Sequence, residues 1–102
     1  MEAFELLKEK ITMREQEEQN ERFEFYGVPV LVTPNFLATF GEEAMEIAFT
    51  AQVMIGEQYP NKNWDYLQTF EYGNVEFWCI SDAMQNQKTI EPHITFLMPE
   101  DY

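Results

Sequence analysis

Residues 64–80, WDYLQTFEYGNVEFWCI, decide the fold of this chain. Two runs of alternating residues flank Gly73-Asn74, and Tyr66, Phe70 and Tyr72 lie in phase within the first run. Strict alternation is typical of a half-buried strand, and a two-residue Gly-Asn connection is typical of a β-hairpin. The stretch therefore predicts two antiparallel strands over residues 64–72 and 75–80.

The N-terminal part of the chain predicts a helix followed by a charged stretch. Within residues 2–19, Phe4, Leu7 and Ile11 form one narrow apolar stripe at helical spacing. Residues 14–22 are wholly polar, which is typical of a solvated helix end or a linker.

Residues 22–32 have the alternation of a strand. Pro29 cannot donate to a sheet ladder, so this strand is either an edge strand or begins after Pro29. Thr33-Pro34 then resembles a helix start, with Thr33 as the N-cap and Pro34 at the first helical position. We expect a short turn of helix there.

A second helix is predicted to follow. Thr39 and Glu42 match the capping box, in which Thr caps the helix and Glu stands three residues later. The helix should continue to about Glu57, because apolar residues recur at helical spacing until Gly56. After the hairpin, residues 81–88 read as a polar loop and residues 94–98 as a last strand.

The order helix, strand, helix and three strands predicts the α+β class. We expect a small antiparallel sheet of about four strands with two helices packed on one face. The length of 102 residues predicts a single domain over 1–102. Within it, residues 1–22 form the N-terminal helix and charged stretch, and residues 23–102 form the α+β body.

The charge of the chain is its strongest functional signal. The formal net charge is −13, from 19 acidic and 6 basic residues. Residues 25–102 contain only Lys62 and Lys88 as basic residues besides a single histidine, so the body is acidic in its own right. Such a surface either serves solubility or meets a basic partner. Direct binding of nucleic acid is disfavoured, because a phosphate backbone demands Lys and Arg.

The sequence offers little for catalysis or cofactor binding. Cys79 and His93 are the only cysteine and the only histidine. Cys79 stands between apolar neighbours and is predicted to be a buried structural residue. We assign no catalytic, cofactor-binding or metal-binding residue and expect no enzyme. One cysteine forms no internal disulfide, and no stretch has the length of a membrane span, so we expect a cytoplasmic location in a host cell and no membrane partner.

Acidic and aromatic residues interleave on the hairpin, and three glutamates begin the second helix. Aromatic anchors ringed by acids suit a groove on a basic protein. The predicted partner-binding residues are therefore Glu42, Glu43, Glu46, Asp65, Tyr66, Glu71, Tyr72, Glu76, Trp78 and Asp82. The alternative is that these side chains form a merely solubilising surface over an aromatic core.

Three stretches give the chain a resemblance to a known group of proteins. They are VPVLVTPNFLATFG (28–41), NWDYLQTFEYGNVEFWCISD (63–82) and ITFLMPEDY (94–102). Together they resemble an uncharacterised group of small acidic proteins borne by plasmids and phages, over residues 28–102. The resemblance implies an origin in a mobile element and transfers no function and no residue roles.

Two hypotheses follow from charge and resemblance together. The first is a non-enzymatic phage or mobile-element protein that binds and inhibits a basic nucleic-acid-handling protein, as a DNA mimic of the anti-CRISPR or anti-restriction type. The second is an accessory or structural protein of a mobile element, whose acidity serves solubility. In the second, the first helix could pair with its own copy, so a homo-oligomer stays open.

Overall fold

A five-stranded sheet carries two helices in the computed structural model, which describes residues 7–14, 25, 28–58, 66–82 and 92–102. The strands are β1 (Ile11–Met13), β2 (Val30–Val32), β3 (Leu67–Tyr72), β4 (Val75–Ser81) and β5 (Ile94–Leu97). The helices are α1 (Pro34–Phe40) and α2 (Ala44–Gln58), and 3-10 turns span Gly41–Glu43 and Pro99–Asp101.

The α+β class is confirmed, but the predicted sheet is wrong in two details. The sheet has five strands in the order β1-β3-β4-β5-β2 instead of about four. It is mixed instead of antiparallel, because β2 pairs with β5 in parallel, with Val30 opposite Ile94. The chain can reach this position because α1 and α2 follow β2 before the hairpin begins, and such a crossover is what a parallel pair requires.

The predicted hairpin is confirmed for the described residues. β3 and β4 pair antiparallel from Leu67 opposite Ile80 to Tyr72 opposite Val75. Gly73 makes the turn with a φ of 61°, a conformation that a side chain disfavours. Trp64 lies outside the described residues, and Ser81, predicted to begin a loop, is the last residue of β4.

The predicted N-terminal helix is too long. Residues 7–10 are helical, but Ile11–Met13 form β1 at the edge of the sheet, opposite Tyr72 to Phe70 of β3. The hydrogen bond from the Arg14 backbone N–H to the Thr69 carbonyl, at 2.9 Å, continues this pairing. Hydrogen bonds to a distant strand therefore override the local helical pattern. A local pattern indicates secondary structure only weakly, and tertiary contacts commonly outweigh it. Phe4 lies outside the described residues.

The segment from Pro29 to Phe40 begins as predicted and extends further. β2 begins at Val30, directly after Pro29, and is an edge strand. The Thr33 hydroxyl caps α1 by accepting a hydrogen bond from the Phe36 N–H at 3.2 Å, and Pro34 is at the first helical position. The helix continues to Phe40, beyond the single turn expected.

The predicted capping box at Thr39 is wrong. Thr39 lies inside α1, where its hydroxyl donates to the Asn35 carbonyl at 2.7 Å. Gly41 ends α1 with a φ of 58°, and its N–H donates to the Leu37 carbonyl. Because the 3-10 turn separates the two helices, α2 begins at Ala44 instead of directly after Thr39.

Aromatic rings hold α1 to one face of the sheet. Phe77 of β4 stacks on Phe70 of β3 with ring centroids 5.1 Å apart and an interplanar angle of 8°. Phe36 and Phe40 of α1 meet Phe77 edge-to-face, each at 5.6 Å. The core continues along α2 and into the N-terminal segment through Leu7, Ile11, Ala44, Ile47, Ala48, Ala51 and Ile55.

Two sequence-based expectations fall mainly outside the described residues. They are the charged stretch 14–22 and the boundary between residues 22 and 23. Of the loop predicted over 81–88, only Ser81 and Asp82 are described. Leu7 and Ile11 both belong to the core cluster, so the described N-terminal residues pack on the body.

Replacing the Phe77 ring tests the centre of this core. Phe77→Ala removes the partner of four aromatic rings, since Phe96 of β5 also contacts Phe77, and should lower the free energy of unfolding by about 3–5 kcal/mol. Urea denaturation followed by tryptophan fluorescence measures the loss. Phe77→Leu, which keeps part of the volume, should lose less and gives a folded reference if the alanine variant unfolds.

Val75→Ala is the matched control, because Val75 lies on the same strand and is 38% exposed. A surface substitution of this kind should change stability by about 0.5 kcal/mol or less. Equal losses for Phe77→Ala and Val75→Ala would contradict the central position of the aromatic cluster.

Candidate partner-binding surface

The structure separates the predicted partner-binding residues into distinct places. Glu42, Glu43 and Glu46 lie where α1 meets α2, while Glu71, Glu76 and Trp78 lie on the sheet face opposite the helices. Tyr72 lies at the end of β3 and is hydrogen-bonded to Glu43, Tyr66 precedes β3, and Asp82 follows β4. Asp65 lies outside the described residues.

The helix junction presents three exposed carboxylates within five residues of sequence. Glu42 and Glu43 stand in the 3-10 turn, and Glu46 stands in the first turn of α2. Within the described part of the chain, no lysine or arginine pairs with any of them. Negative side chains at this position also favour the helix, because its N-terminus carries partial positive charge.

Tyr72 ties the hairpin to this junction. Its hydroxyl donates to Glu43 Oε2 at 3.1 Å, and its ring meets Phe40 edge-to-face at 5.8 Å. Desolvation, with the hydrogen bond to Glu43 as the second cause, raises the pKa of the Tyr72 hydroxyl. Tyr72 therefore acts as a support for Glu43 and half-buries its own ring, instead of standing free as an aromatic anchor.

Glu71 and Glu76 face each other across β3 and β4. Arg14 lies beside both: its guanidinium donates to Glu71 Oε1, and Nη2 lies 3.8 Å from Glu76 Oε1. The hydrogen bond to Glu71, followed by the charges of Glu76 and Glu71, raises the pKa of Arg14. The Trp78 indole N–H donates to Glu76 Oε2 at 2.7 Å. These two acids are thus already matched with donors of the same chain.

Sequence reasoning missed Tyr102 as part of the aromatic group on this face. Its ring meets Trp78 edge-to-face at 5.3 Å, and its hydroxyl is hydrogen-bonded to the hydroxyl of Tyr66. Tyr102 is 63% exposed, so it covers Trp78 while remaining open to solvent. No local pattern predicts this contact, because residue 102 follows a 3-10 turn whose direction depends on Asp101.

Asp101 holds that turn against the start of α1. Its carboxylate accepts hydrogen bonds from the Thr33 hydroxyl at 2.7 Å, Asn35 Nδ2 at 2.6 Å and the Met98 N–H at 3.0 Å. The bond from Thr33, followed by the bonds from Met98 and Asn35, lowers the pKa of the Asp101 carboxyl. Asp101 therefore stabilises the fold through its hydrogen bonds. The sequence indicates only one of them, because an acid three residues after Met98 can accept from the Met98 N–H.

Asp82 stands apart from the other acids. It follows β4 at the end of the sheet away from the hairpin turn, and its Oδ2 lies 3.8 Å from His93 Nδ1. Its backbone N–H donates to the His93 carbonyl at 2.9 Å. The structure does not bring Asp82 together with Glu71 and Glu76.

The described counter-charges come from the N-terminal segment alone. Lys8 Nζ lies 2.6 Å from Glu57 Oε2 at the far end of α2, and Arg14 pairs with Glu71 and Glu76. Residues 28–58, 66–82 and 92–102 contain neither lysine nor arginine. The acids at the helix junction therefore form a group of three exposed carboxylates that no described cation neutralises.

Two apolar side chains near the acidic junction were also missed. Met45 and Phe49 of α2 are 38% and 49% exposed. Helical periodicity predicted a wide apolar face on α2, but it identified mainly the residues that are buried in the core and not these two exposed ones. Met45 and Phe49 could have been found from the same spacing, because they stand four residues apart on the opposite side.

Cys79 is buried as predicted, and burial raises the pKa of its thiol. Among the described residues, no three His, Cys, Asp or Glu side chains converge as ligands for a metal ion. No helix in the described part of the chain is long and apolar enough to cross a membrane.

In comparisons with known proteins, no family model, no curated protein and no solved structure matches this chain. The resemblance to plasmid-borne and phage-borne proteins therefore stays a prediction.

The Glu71–Glu76 pair predicts a salt-dependent stability. Arg14→Gln leaves two carboxylates directly opposite each other without their cation, and like charges in this position destabilise a sheet. We expect a lower free energy of unfolding than for the wild type at low salt, with a smaller difference at 1 M NaCl because salt screens the repulsion. Urea denaturation at both salt concentrations measures this.

Arg14→Lys, which keeps the charge, is the control for lost packing. Adding Glu76→Gln to Arg14→Gln should recover stability, because it removes the repulsion. A loss that is the same at both salt concentrations and is not recovered would show that Arg14 acts through packing instead of charge.

The hydrogen bonds of Asp101 predict a dependence on pH. The pKa of its carboxyl is lower in the folded than in the unfolded chain, so the stabilisation is complete above the ordinary value of 3.8 and is lost as pH falls through the folded pKa. Asp101→Asn should therefore be less stable than the wild type at pH 7, and the difference should narrow below about pH 4. Thermal unfolding between pH 7 and pH 2.5 measures it.

Glu100→Gln is the control, because it removes one neighbouring carboxylate that makes no hydrogen bond within the described residues. Its stability relative to the wild type should change little over the same range. A difference for Asp101→Asn that persists unchanged at pH 2.5 would contradict the lowered pKa of Asp101.

Proposed function

We propose that this chain is a non-enzymatic acidic protein that binds and inhibits a basic, nucleic-acid-handling protein. The observation that carries the proposal is the group of exposed carboxylates where α1 meets α2: Glu42, Glu43 and Glu46. The chain as a whole has a formal net charge of −13, and these three carboxylates have no basic partner among the described residues.

The distribution of ion pairs supports placing the contact at this junction. Glu71 and Glu76 are occupied by Arg14, and Asp101 is occupied by Thr33, Asn35 and Met98. A partner that approaches those acids has to displace donors of the same chain. At the junction the Tyr72 hydroxyl donates to Glu43, but no described cation has to be displaced, so an incoming Lys or Arg meets no competing positive charge there.

Inhibition follows from competition for the same basic groups. A protein that handles nucleic acid carries Lys and Arg where phosphates bind, and these side chains also bind carboxylates. Carboxylates fixed on a rigid turn and helix would occupy these groups in place of DNA or RNA. A phage or mobile-element origin, with an anti-CRISPR or anti-restriction role in the host cytoplasm, is the concrete form of this proposal.

An accessory or structural role is the second candidate, and the exposed apolar side chains Leu37, Met45 and Phe49 favour it. In this case the acidity serves solubility and the apolar residues make a contact, either with a second copy or with another component. The stripe predicted on the N-terminal helix does not serve this purpose in its described part, because Leu7 and Ile11 are buried in the core.

Charge reversal at the junction tests the first proposal. Host-cell proteins are captured on the tagged chain and eluted along a salt gradient, with excess DNA as competitor. We expect a basic nucleic-acid enzyme to be retained at low salt and released by DNA. Glu42→Lys, Glu43→Lys and Glu46→Lys together should abolish its retention without unfolding the domain, because they replace attraction by repulsion.

A charge-matched variant separates the junction from net charge. Glu9→Lys, Asp82→Lys and Glu100→Lys together reverse three exposed acids in other elements. This variant should retain the partner, with at most a slower association caused by the lower overall charge. Equal loss in both variants would make the attraction a property of the whole molecule. Retention by the junction variant would refute binding at the junction.

A further inference from the structure

The outer side of α2 carries two apolar side chains that are exposed to solvent, Met45 and Phe49. Ala44, Ile47, Ala48, Ala51 and Ile55 of this helix pack into the core. On the other side, Met45 and Phe49 remain 38% and 49% exposed. A helix that is apolar on both sides is normally covered on both sides. An aromatic residue exposed to this extent on a rigid helix also has the character of an interface anchor.

The exposed apolar pair lies next to the acidic junction. On a helix surface, residues three and four apart are neighbours, so Glu46 stands beside Phe49, and Met45 and Phe49 stand together. Glu42, in the turn directly before α2, lies three residues from Met45. Met45 and Phe49 thus form an apolar patch, the α2 stripe, and Glu42 and Glu46 form its acidic border.

We propose that the α2 stripe is a docking surface for a basic amphipathic helix of the partner protein. The inference rests on the proposed function and adds the chemistry of the contact. Apolar side chains of the incoming helix cover Met45 and Phe49, and its flanking Lys or Arg residues meet Glu42 and Glu46. α2 has 15 residues and thus a length of about 22 Å, enough to accommodate three to four turns of such a helix.

Charge decides between a basic partner and a second copy. Two copies of this chain would each bring a net charge of −13 to the contact, and glutamates would border both sides of it. Like charges brought together at an interface cost free energy that two apolar side chains do not offset. A nucleic acid or an anionic membrane is repelled for the same reason. A basic amphipathic helix is complementary to both parts of the surface, because its apolar side covers the α2 stripe and its Lys or Arg residues attract the acidic border.

Two synthetic peptides test this proposal with a defined probe. The first has about 18 residues of Leu and Lys, with Leu at helical spacing on one face. The second has the same composition with the Leu residues scattered, so that it carries the same charge without an apolar face. At about 150 mM NaCl we expect the amphipathic peptide to bind about tenfold more tightly than the scrambled one, measured by titration calorimetry.

Methionine methyl groups report where the peptide binds. In a sample labelled with 13C at the methionine methyls, the Met45 signal should shift on addition of the amphipathic peptide. The Met98 signal should stay in place, because Met98 is buried in the core at 4% exposure. A shift confined to methionines other than Met45 would overturn the proposal.

Substitutions at matched exposure complete the test. Phe49→Ala should weaken binding of the amphipathic peptide about tenfold and leave binding of the scrambled peptide unchanged. Leu31→Ala is the control, because Leu31 is 51% exposed on β2, outside α2, and should change neither affinity. Met45→Ala, with the same expected direction, serves if Phe49→Ala alters the fold as seen by circular dichroism.

The outcomes separate this proposal from the proposed function. Equal binding of the two peptides, or equal effects of Phe49→Ala and Leu31→Ala, would overturn docking on the α2 stripe. Neither result touches the charge-reversal test of the junction, which decides the proposed function on its own. A wild-type dimer in sedimentation velocity that Phe49→Ala converts to a monomer would assign the stripe to a second copy and would also overturn the proposal.

Discussion

Phe77 stacks on Phe70 within the sheet and receives the edges of Phe36 and Phe40 from α1, so one ring joins the hairpin to the helices. The position of the acids depends on this contact. Because Phe40 is held over Phe77 and Tyr72, the turn that follows α1 lies within reach of the Tyr72 hydroxyl. Glu43 is fixed there, and α2 begins with Glu46 in its first turn. A chain of this size buries only a small core. The aromatic cluster therefore both stabilises the fold and positions the acids at the helix junction.

The charge of the chain sets a second constraint, because carboxylates that repel each other oppose the compact state. The described body meets it by separating its acids and using the N-terminal segment as a source of cations. Arg14 directly follows the edge strand β1 and pairs with both Glu71 and Glu76, and Lys8 pairs with Glu57. The edge strand therefore has an electrostatic role besides its hydrogen bonds. The junction acids receive no such cation from the described residues, so their mutual repulsion is not compensated by a described positive charge.

Local patterns predicted the elements whose signal is contained in a few adjacent residues. The hairpin at Gly73-Asn74, the cap at Thr33 and the strand start after Pro29 are of this kind, and all three are confirmed. The predictions for Ile11–Met13 and for the capping box at Thr39 were wrong for the opposite reason. Ile11–Met13 is a strand because it pairs with β3, which lies far along the chain. Thr39 is no N-cap because the preceding helix continues through it, and neither fact is contained in a short window of sequence. The same holds for Tyr102 on Trp78, which depends on the turn at Asp101.

The candidate site shows the same division. Sequence located the acids of α2, but it could not tell that Arg14 occupies Glu71 and Glu76 while Glu42, Glu43 and Glu46 have no described cation. It also selected Tyr72 and Trp78 as anchors, whereas the structure uses the Tyr72 hydroxyl to hold Glu43 and the Trp78 indole to hold Glu76. The side chains that the fold leaves uncovered beside the acids are Met45 and Phe49. Long-range attraction by carboxylates mainly speeds the encounter with a basic surface, whereas buried apolar contacts mainly lengthen the life of the complex. The inhibitor that we propose, which competes with nucleic acid, needs both, and the described structure places acidic and apolar side chains next to each other on α2.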